Sequence, residues 1–113
     1  MNILFVCLAN MRRSRTAVEM FSEIFKEHSD LHFDSCGVVG MFVESSKLTW
    51  PQAKMCTQEL IDWADRIICM DDTVTRWLME DFQVKRLEDW AIPNIYQYND
   101  PQLKRELMMK IWQ

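Results

Sequence analysis

The stretch Asn2-Ile3-Leu4-Phe5-Val6-Cys7-Leu8-Ala9-Asn10-Met11-Arg12-Arg13-Ser14 decides how this chain is read. Its first half, Asn2–Cys7, is a short continuous run of apolar strand formers, the pattern of a strand buried on both faces. From Ser14 the period changes: Ala17, Met20, Phe21, Ile24 and Phe25 recur three and four apart, with Glu19, Ser22, Glu23 and Lys26 between them. That spacing predicts an amphipathic helix ending near His28. A buried strand running straight into a helix turns the unsatisfied backbone N–H groups of the helix start toward the intervening loop, where they favour an anion. Cys7 opens that loop and Arg13 closes it.

Outward from this unit the elements alternate. Leu31–Cys36 alternates apolar and polar residues and predicts a second strand. Residues 37 to about 55 contain both glycines, a Ser-Ser pair and Trp50-Pro51, and read as a long loop with room for one helical turn. Thr57 can cap a helix through Ala64, and Arg66–Met70 is a third buried strand. Asp71-Asp72-Thr73 can cap a helix to about Phe82 that carries Val74, Trp77, Leu78 and Phe82 on one face. Val84–Leu87 reads as a short fourth strand. Asp100-Pro101 places a cap and then a proline at the first position of a last helix, ending near Trp112. The expectation is an α/β fold, a small doubly wound four-stranded parallel sheet with helices on both faces, as one domain over residues 1–113. Ligands of such sheets bind at the carboxyl ends of the strands, which singles out the loop after Cys7.

Composition narrows the function classes. The chain has 113 residues, 49% of them hydrophobic and 27% charged, a balance of globular rather than disordered proteins. A net charge of −4 speaks against a broad nucleic-acid footprint while leaving room for a small basic site. No apolar run reaches the length of a membrane helix, and the N-terminus lacks the basic start of an export signal, so a cytoplasmic protein is expected. The four cysteines include no Cys-x-x-Cys pair and read as reduced thiols. Cys36, Cys56 and Cys69 are assigned to the core or near-surface, with no spacing that suggests a metal site. Tryptophans and methionines of the helices are assigned to the core.

The chemistry lies in Cys7, five intervening residues, then Arg13. Helix N–H groups and an arginine favour the thiolate, the nucleophilic form of cysteine. The Arg13 guanidinium is a planar fork matched to two phosphate oxygens, and Ser14 can hydrogen-bond the sulfur. The plain alternatives are a buried core thiol for Cys7 and a simple helix cap for Asp100.

At this point the sequence resembles the low-molecular-weight protein tyrosine phosphatases. Val6-Cys7, Asn10, Arg13-Ser14 and Ala17 match that family's N-terminal strand-loop-helix pattern. Asp34-Ser35-Cys36-Gly37 resembles its stretch after the second strand, and Asp100-Pro101 its C-terminal Asp-Pro. The resemblance implies a protein tyrosine phosphatase with Cys7 as nucleophile, Arg13 as phosphate clamp and Asp100 as general acid and then base. Leu8, Ala9, Asn10, Met11, Arg12 and Ser14 would form the phosphate loop, and Met41, Phe42 and Trp50 would wall the substrate. It implies no metal and no cofactor, and a phosphorylated protein as partner.

Several positions depart from the pattern. The loop glycine is Ala9, the second loop cysteine is Arg12, and the proline after Ser14 is Arg15. Gln102-Leu103 stand where aromatic residues usually follow Asp-Pro. These changes keep two rivals open: the same chemistry on a nucleotide, a nucleic-acid end or a small phosphorylated metabolite, and a poorly active phosphate-binding interaction module. A thiol relay as in arsenate reduction would need two further cysteines within reach of Cys7.

Overall fold

The computed structural model describes residues 1–8, 12–38 and 55–111. The elements in chain order are β1 (Asn2–Cys7), α1 (Arg13–Ile24), β2 (His32–Gly37), α2 (Gln58–Trp63), β3 (Arg66–Cys69), α3 (Asp72–Asp81), β4 (Glu88–Asp89) and α4 (Pro101–Ile111). The sheet runs β2-β1-β3-β4 with all three pairings parallel. This is the expected doubly wound architecture.

The apolar run of β1 explains its central place. Leu4, Phe5 and Val6 have no solvent exposure, and the strand's alternation divides the core in two. Ile3, Phe5 and Cys7 face α1 and α4, meeting Ala17, Phe21, Leu103 and Leu107. Phe5 stacks on Phe21 at 5.5 Å and meets Trp90 edge-on at 5.7 Å, favourable aromatic geometries. Leu4 and Val6 face α2 and α3, meeting Ile61, Val74 and Leu78. Cys7 therefore sits at the carboxyl end of the central strand on the α1/α4 face.

The caps follow the sequence. Thr57 accepts a hydrogen bond from the Leu60 N–H at 3.2 Å, and Asp71 accepts one from Val74 at 2.9 Å. Other boundaries shift. Helix α1 ends at Ile24, and Phe25–His28 form turns whose N–H groups bond back to Phe21, Glu23 and Phe25. The fourth strand is Glu88–Asp89 rather than Val84–Leu87, because Phe82, Val84 and Leu87 pack against the α2/α3 core instead of pairing. Its register is fixed by Arg66, whose guanidinium forks onto Glu88 with both contacts at 2.8 Å. Trp63, Trp77, Met79 and Met109 are exposed rather than core. In α3 the narrow stripe Val74–Leu78 faces the sheet and leaves Trp77 and Met79 outside it.

The cysteines bring a larger correction. Cys36 and Cys56 form a disulfide with a Cα–Cα distance of 4.9 Å; they are not reduced thiols. The Gly37–Met55 bridge, with the Cys56 N–H on the Gly37 carbonyl at 2.9 Å, sets the two side by side. Nothing in a separation of 20 residues announces that meeting. Thiol titration in denaturant without reductant should return two thiols, those of Cys7 and Cys69. Reduction should lower the unfolding free energy by about 3 kcal/mol, the loop-closure scale for such a ring. Four thiols in the unreduced protein would contradict the crosslink.

Candidate active site

Three segments converge beyond the carboxyl ends of β1, β3 and β4. Cys7 ends β1, and its Sγ lies 2.9 Å from the Ser14 Oγ in the first turn of α1. Both residues are buried. The loop's last residue, Arg13, opens α1 and is only 2% exposed. A buried guanidinium is costly unless its protons find acceptors. Arg13 Nη1 donates to Asp71 Oδ2 and to the Ile92 carbonyl, each at 2.7 Å.

Both acceptors are placed by the sheet. Asp71 follows β3, where the Met70 N–H bonds the Val6 carbonyl at 2.9 Å, so it emerges beside the end of β1. Ile92 follows β4 after Ala91, which takes a left-handed φ of 52 and donates its N–H to Asp89 Oδ1 at 2.8 Å. That conformation is uncommon for alanine, and here it lies between two buried residues, Trp90 and Ile92.

The Asp71 carboxylate has two tasks, capping α3 with Oδ1 and holding Arg13 with Oδ2. Burial pushes its pKa up, but the Val74 N–H and the Arg13 guanidinium outweigh burial and hold it below the ordinary carboxylate value. A depressed carboxyl contributes stability above its unfolded value, near pH 4, and loses it as pH falls toward the folded value. Sequence reasoning identified Asp71 only as a cap. The available signal was its place directly after a buried strand, at the same sheet edge as Cys7.

Asp100 is half-buried and does cap the last helix, its Oδ1 accepting from the Gln102 N–H at 2.8 Å. The segment leading to it is docked on α1. The Asn99 N–H donates to Thr16 Oγ1 at 2.9 Å, and the Tyr98 hydroxyl donates to Glu19. These two contacts were not foreseen. Arg12 is exposed at the start of α1, and Leu8 packs against the α2/α3 core. Ala9, Asn10 and Met11, with Met41, Phe42 and Trp50 of the expected substrate wall, lie outside the described residues.

The remaining cysteines belong to the other face of the sheet. Cys36, Cys56 and Cys69 lie in the α2/α3 core, away from the face that holds Cys7. Burial pushes the Cys69 thiol up to about 12, with nearby Asp89 and Asp71 acting in the same direction against a hydrogen bond to Thr75. Among the described residues no group of three or more His, Cys, Asp or Glu side chains could hold a metal ion. No described helix is long and apolar enough to cross a membrane. A separate groove of 1230 Å³ lies between α2, α3 and residues 82–86 and includes none of the Cys7 cluster.

The sequence matches no protein-family model and no curated relative. Solved structures show what the fold is similar to. The low molecular weight protein tyrosine phosphatase of T. tengcongensis superposes with a TM-score of 0.72 at 21% identity, over 99% of this chain and 98% of that one. The Campylobacter jejuni low molecular weight protein tyrosine phosphatase gives 0.70 at 21% identity, over 97% and 92%. A mutant of the YwlE arginine phosphatase, solved with a phosphorylated active site serine, gives 0.62 at 19% identity, over 95% and 91%. The chain has the fold of the low molecular weight protein tyrosine phosphatases over nearly its whole length.

Two outcomes follow from the geometry. Asp71→Asn should cost about 3 kcal/mol of stability at neutral pH, the scale of breaking a buried ion pair. Because the carboxylate's contribution fades on protonation, denaturant midpoints of wild type and variant should converge as pH falls below about 4; a gap unchanged by pH would contradict the ion pair. Brief alkylation of the native, unreduced protein at about pH 8 should leave Cys69 unmodified, since the thiol is held protonated. Peptide mapping that finds Cys69 labelled first would contradict its placement.

Proposed function

We propose that this protein is a cysteine-dependent phosphate-monoester hydrolase whose preferred substrate is phosphotyrosine in a protein. The observation that carries the reading is the Cys7–Ser14 contact at the carboxyl end of the central strand, with Arg13 fixed beside it. The fold supports it, and so does the YwlE mutant structure, whose active site serine carries a phosphoryl group.

In this scheme the Cys7 sulfur attacks phosphorus in line while the bond to the leaving oxygen breaks, and the phosphoryl group passes to sulfur. Arg13 has committed Nη1 to Asp71 and Ile92, so Nε and Nη2 are the fork that takes two oxygens of the phosphoryl group. Ser14 donates to the sulfur. Asp100 protonates the leaving oxygen, then takes a proton from the water that attacks phosphorus, which releases phosphate and returns Cys7 as the thiolate. Its Oδ1 is engaged by the helix cap, and Oδ2 is the oxygen that carries the proton.

One observation favours keeping a second substrate in the test. Arg12 is exposed at the start of α1, where it can meet a further anionic group, as a nucleotide or small phosphorylated metabolite would present.

An aryl phosphate assay at about pH 6, with reductant and no added metal, should show turnover that Cys7→Ser abolishes. Binding of phosphate without turnover would make this an interaction module instead. In kcat/KM, Asp100→Ala should cost about 10²–10⁴ for leaving groups of high pKa and far less for those of low pKa, because only the former need the proton. Equal loss across leaving groups would remove Asp100 from the acid role. A phosphotyrosine peptide should be preferred over a nucleotide, phosphoarginine and a small phosphorylated metabolite at matched concentration.

A further inference from the structure

We propose that Thr16 is the positioning residue for Asp100: its side chain fixes the general acid on the same helix that supports the nucleophile. The inference rests on the reading of Asp100 as the acid.

Thr16 lies on α1 and is 1% exposed. Its Oγ1 accepts the N–H of Asn99, the residue immediately before Asp100, at 2.9 Å across a sequence separation of 83 residues. Asn99 takes a left-handed φ of 63, a conformation asparagine tolerates better than most residues, so the chain turns sharply just where it is held. A second tether lies one turn further along α1, where Glu19 accepts the Tyr98 hydroxyl. That contact raises the Tyr98 pKa, chiefly through the hydrogen bond to Glu19, so the phenol keeps its proton over the working range.

The same helix begins with Arg13 and Ser14, and Ser14 Oγ meets the nucleophile's sulfur at 2.9 Å. Half a turn of α1 therefore separates the atom that supports Cys7 from the atom that holds the acid's backbone. A rigid helix sets that spacing, whereas residues 93–100 contain no helix or strand of their own. Without the Thr16 contact the carboxyl is located by the cap of α4, by the Asp100 N–H on the Gln97 carbonyl at 3.2 Å and by the outer Tyr98 tether. Catalytic groups displaced by about 1 Å can lose about 10²-fold in rate.

Thr16→Val keeps the shape and removes the acceptor. Its expected signature is the one Asp100→Ala gives, on a smaller scale. Across a series of aryl phosphates, kcat/KM should fall about tenfold for leaving groups of high pKa and stay near wild type for those of low pKa. Thr16→Ser should restore the wild-type profile. In the Asp100→Ala background Thr16→Val should add no further loss, since there is then no acid to position. Tyr98→Phe, a change at the partly exposed outer tether, should show the same leaving-group pattern more weakly and serves if Thr16→Val folds poorly.

A loss that is uniform across leaving groups, a loss additive with Asp100→Ala, or no loss at all would overturn the proposal and leave Thr16 a structural contact. If Asp100→Ala itself shows no leaving-group dependence, the acid assignment fails first, and that result is separate from the behaviour of Thr16→Val.

Discussion

The buried guanidinium of Arg13 is the constraint on which the rest depends. Its Nη1 ties the start of α1 to Asp71 after β3 and to Ile92 after β4. Three segments that leave the carboxyl ends of β1, β3 and β4 are thereby locked together at the edge where β1 delivers Cys7. A charge 2% exposed stays in place only while its acceptors do, so the pairing fixes both the local fold and the direction of the fork. Because one nitrogen has two protein partners, the remaining N–H groups are oriented before any anion arrives. Preorganisation of that kind is what electrostatic stabilisation of a phosphoryl group needs.

The sheet also sorts the thiols. Alternation along β1 puts Cys7 with Ile3 and Phe5 on the α1/α4 face, while Cys36, Cys56 and Cys69 fall into the opposite core. A relay of thiols to Cys7 therefore has a strand layer in its way. Two of the three are bonded to each other, and the third is held protonated by burial. Cys7 remains on its own face of the sheet, beside a hydroxyl and the start of a helix, the surroundings that the proposed chemistry needs.

Much of this was legible in the residues. The unbroken apolar run of β1 needs burial on two faces, and the three-and-four spacing after Ser14 needs a helix. The caps at Thr57, Asp71 and Asp100-Pro101 act through nearest neighbours, so local sequence suffices for them. What escaped depends on encounters between distant segments. The Cys36–Cys56 crosslink, the grip of Asp71 on Arg13 and the docking of Asn99 on Thr16 each join residues that only the sheet order brings together. The fourth strand departs from the apolar pattern because the run Val84–Leu87 packs on helices while the pairing falls to the polar Glu88–Asp89. Exposed Trp77 shows the same limit, since periodicity marks a face but not its width.

The central claim is that Cys7 takes the phosphoryl group covalently. Its most direct test is acid quenching of wild-type protein during turnover of an aryl phosphate, followed by peptide mass spectrometry. The account predicts one phosphoryl group on the peptide carrying Cys7, absent in Cys7→Ala. Turnover with no phosphorylated peptide, or with the phosphoryl group on another residue, would contradict it.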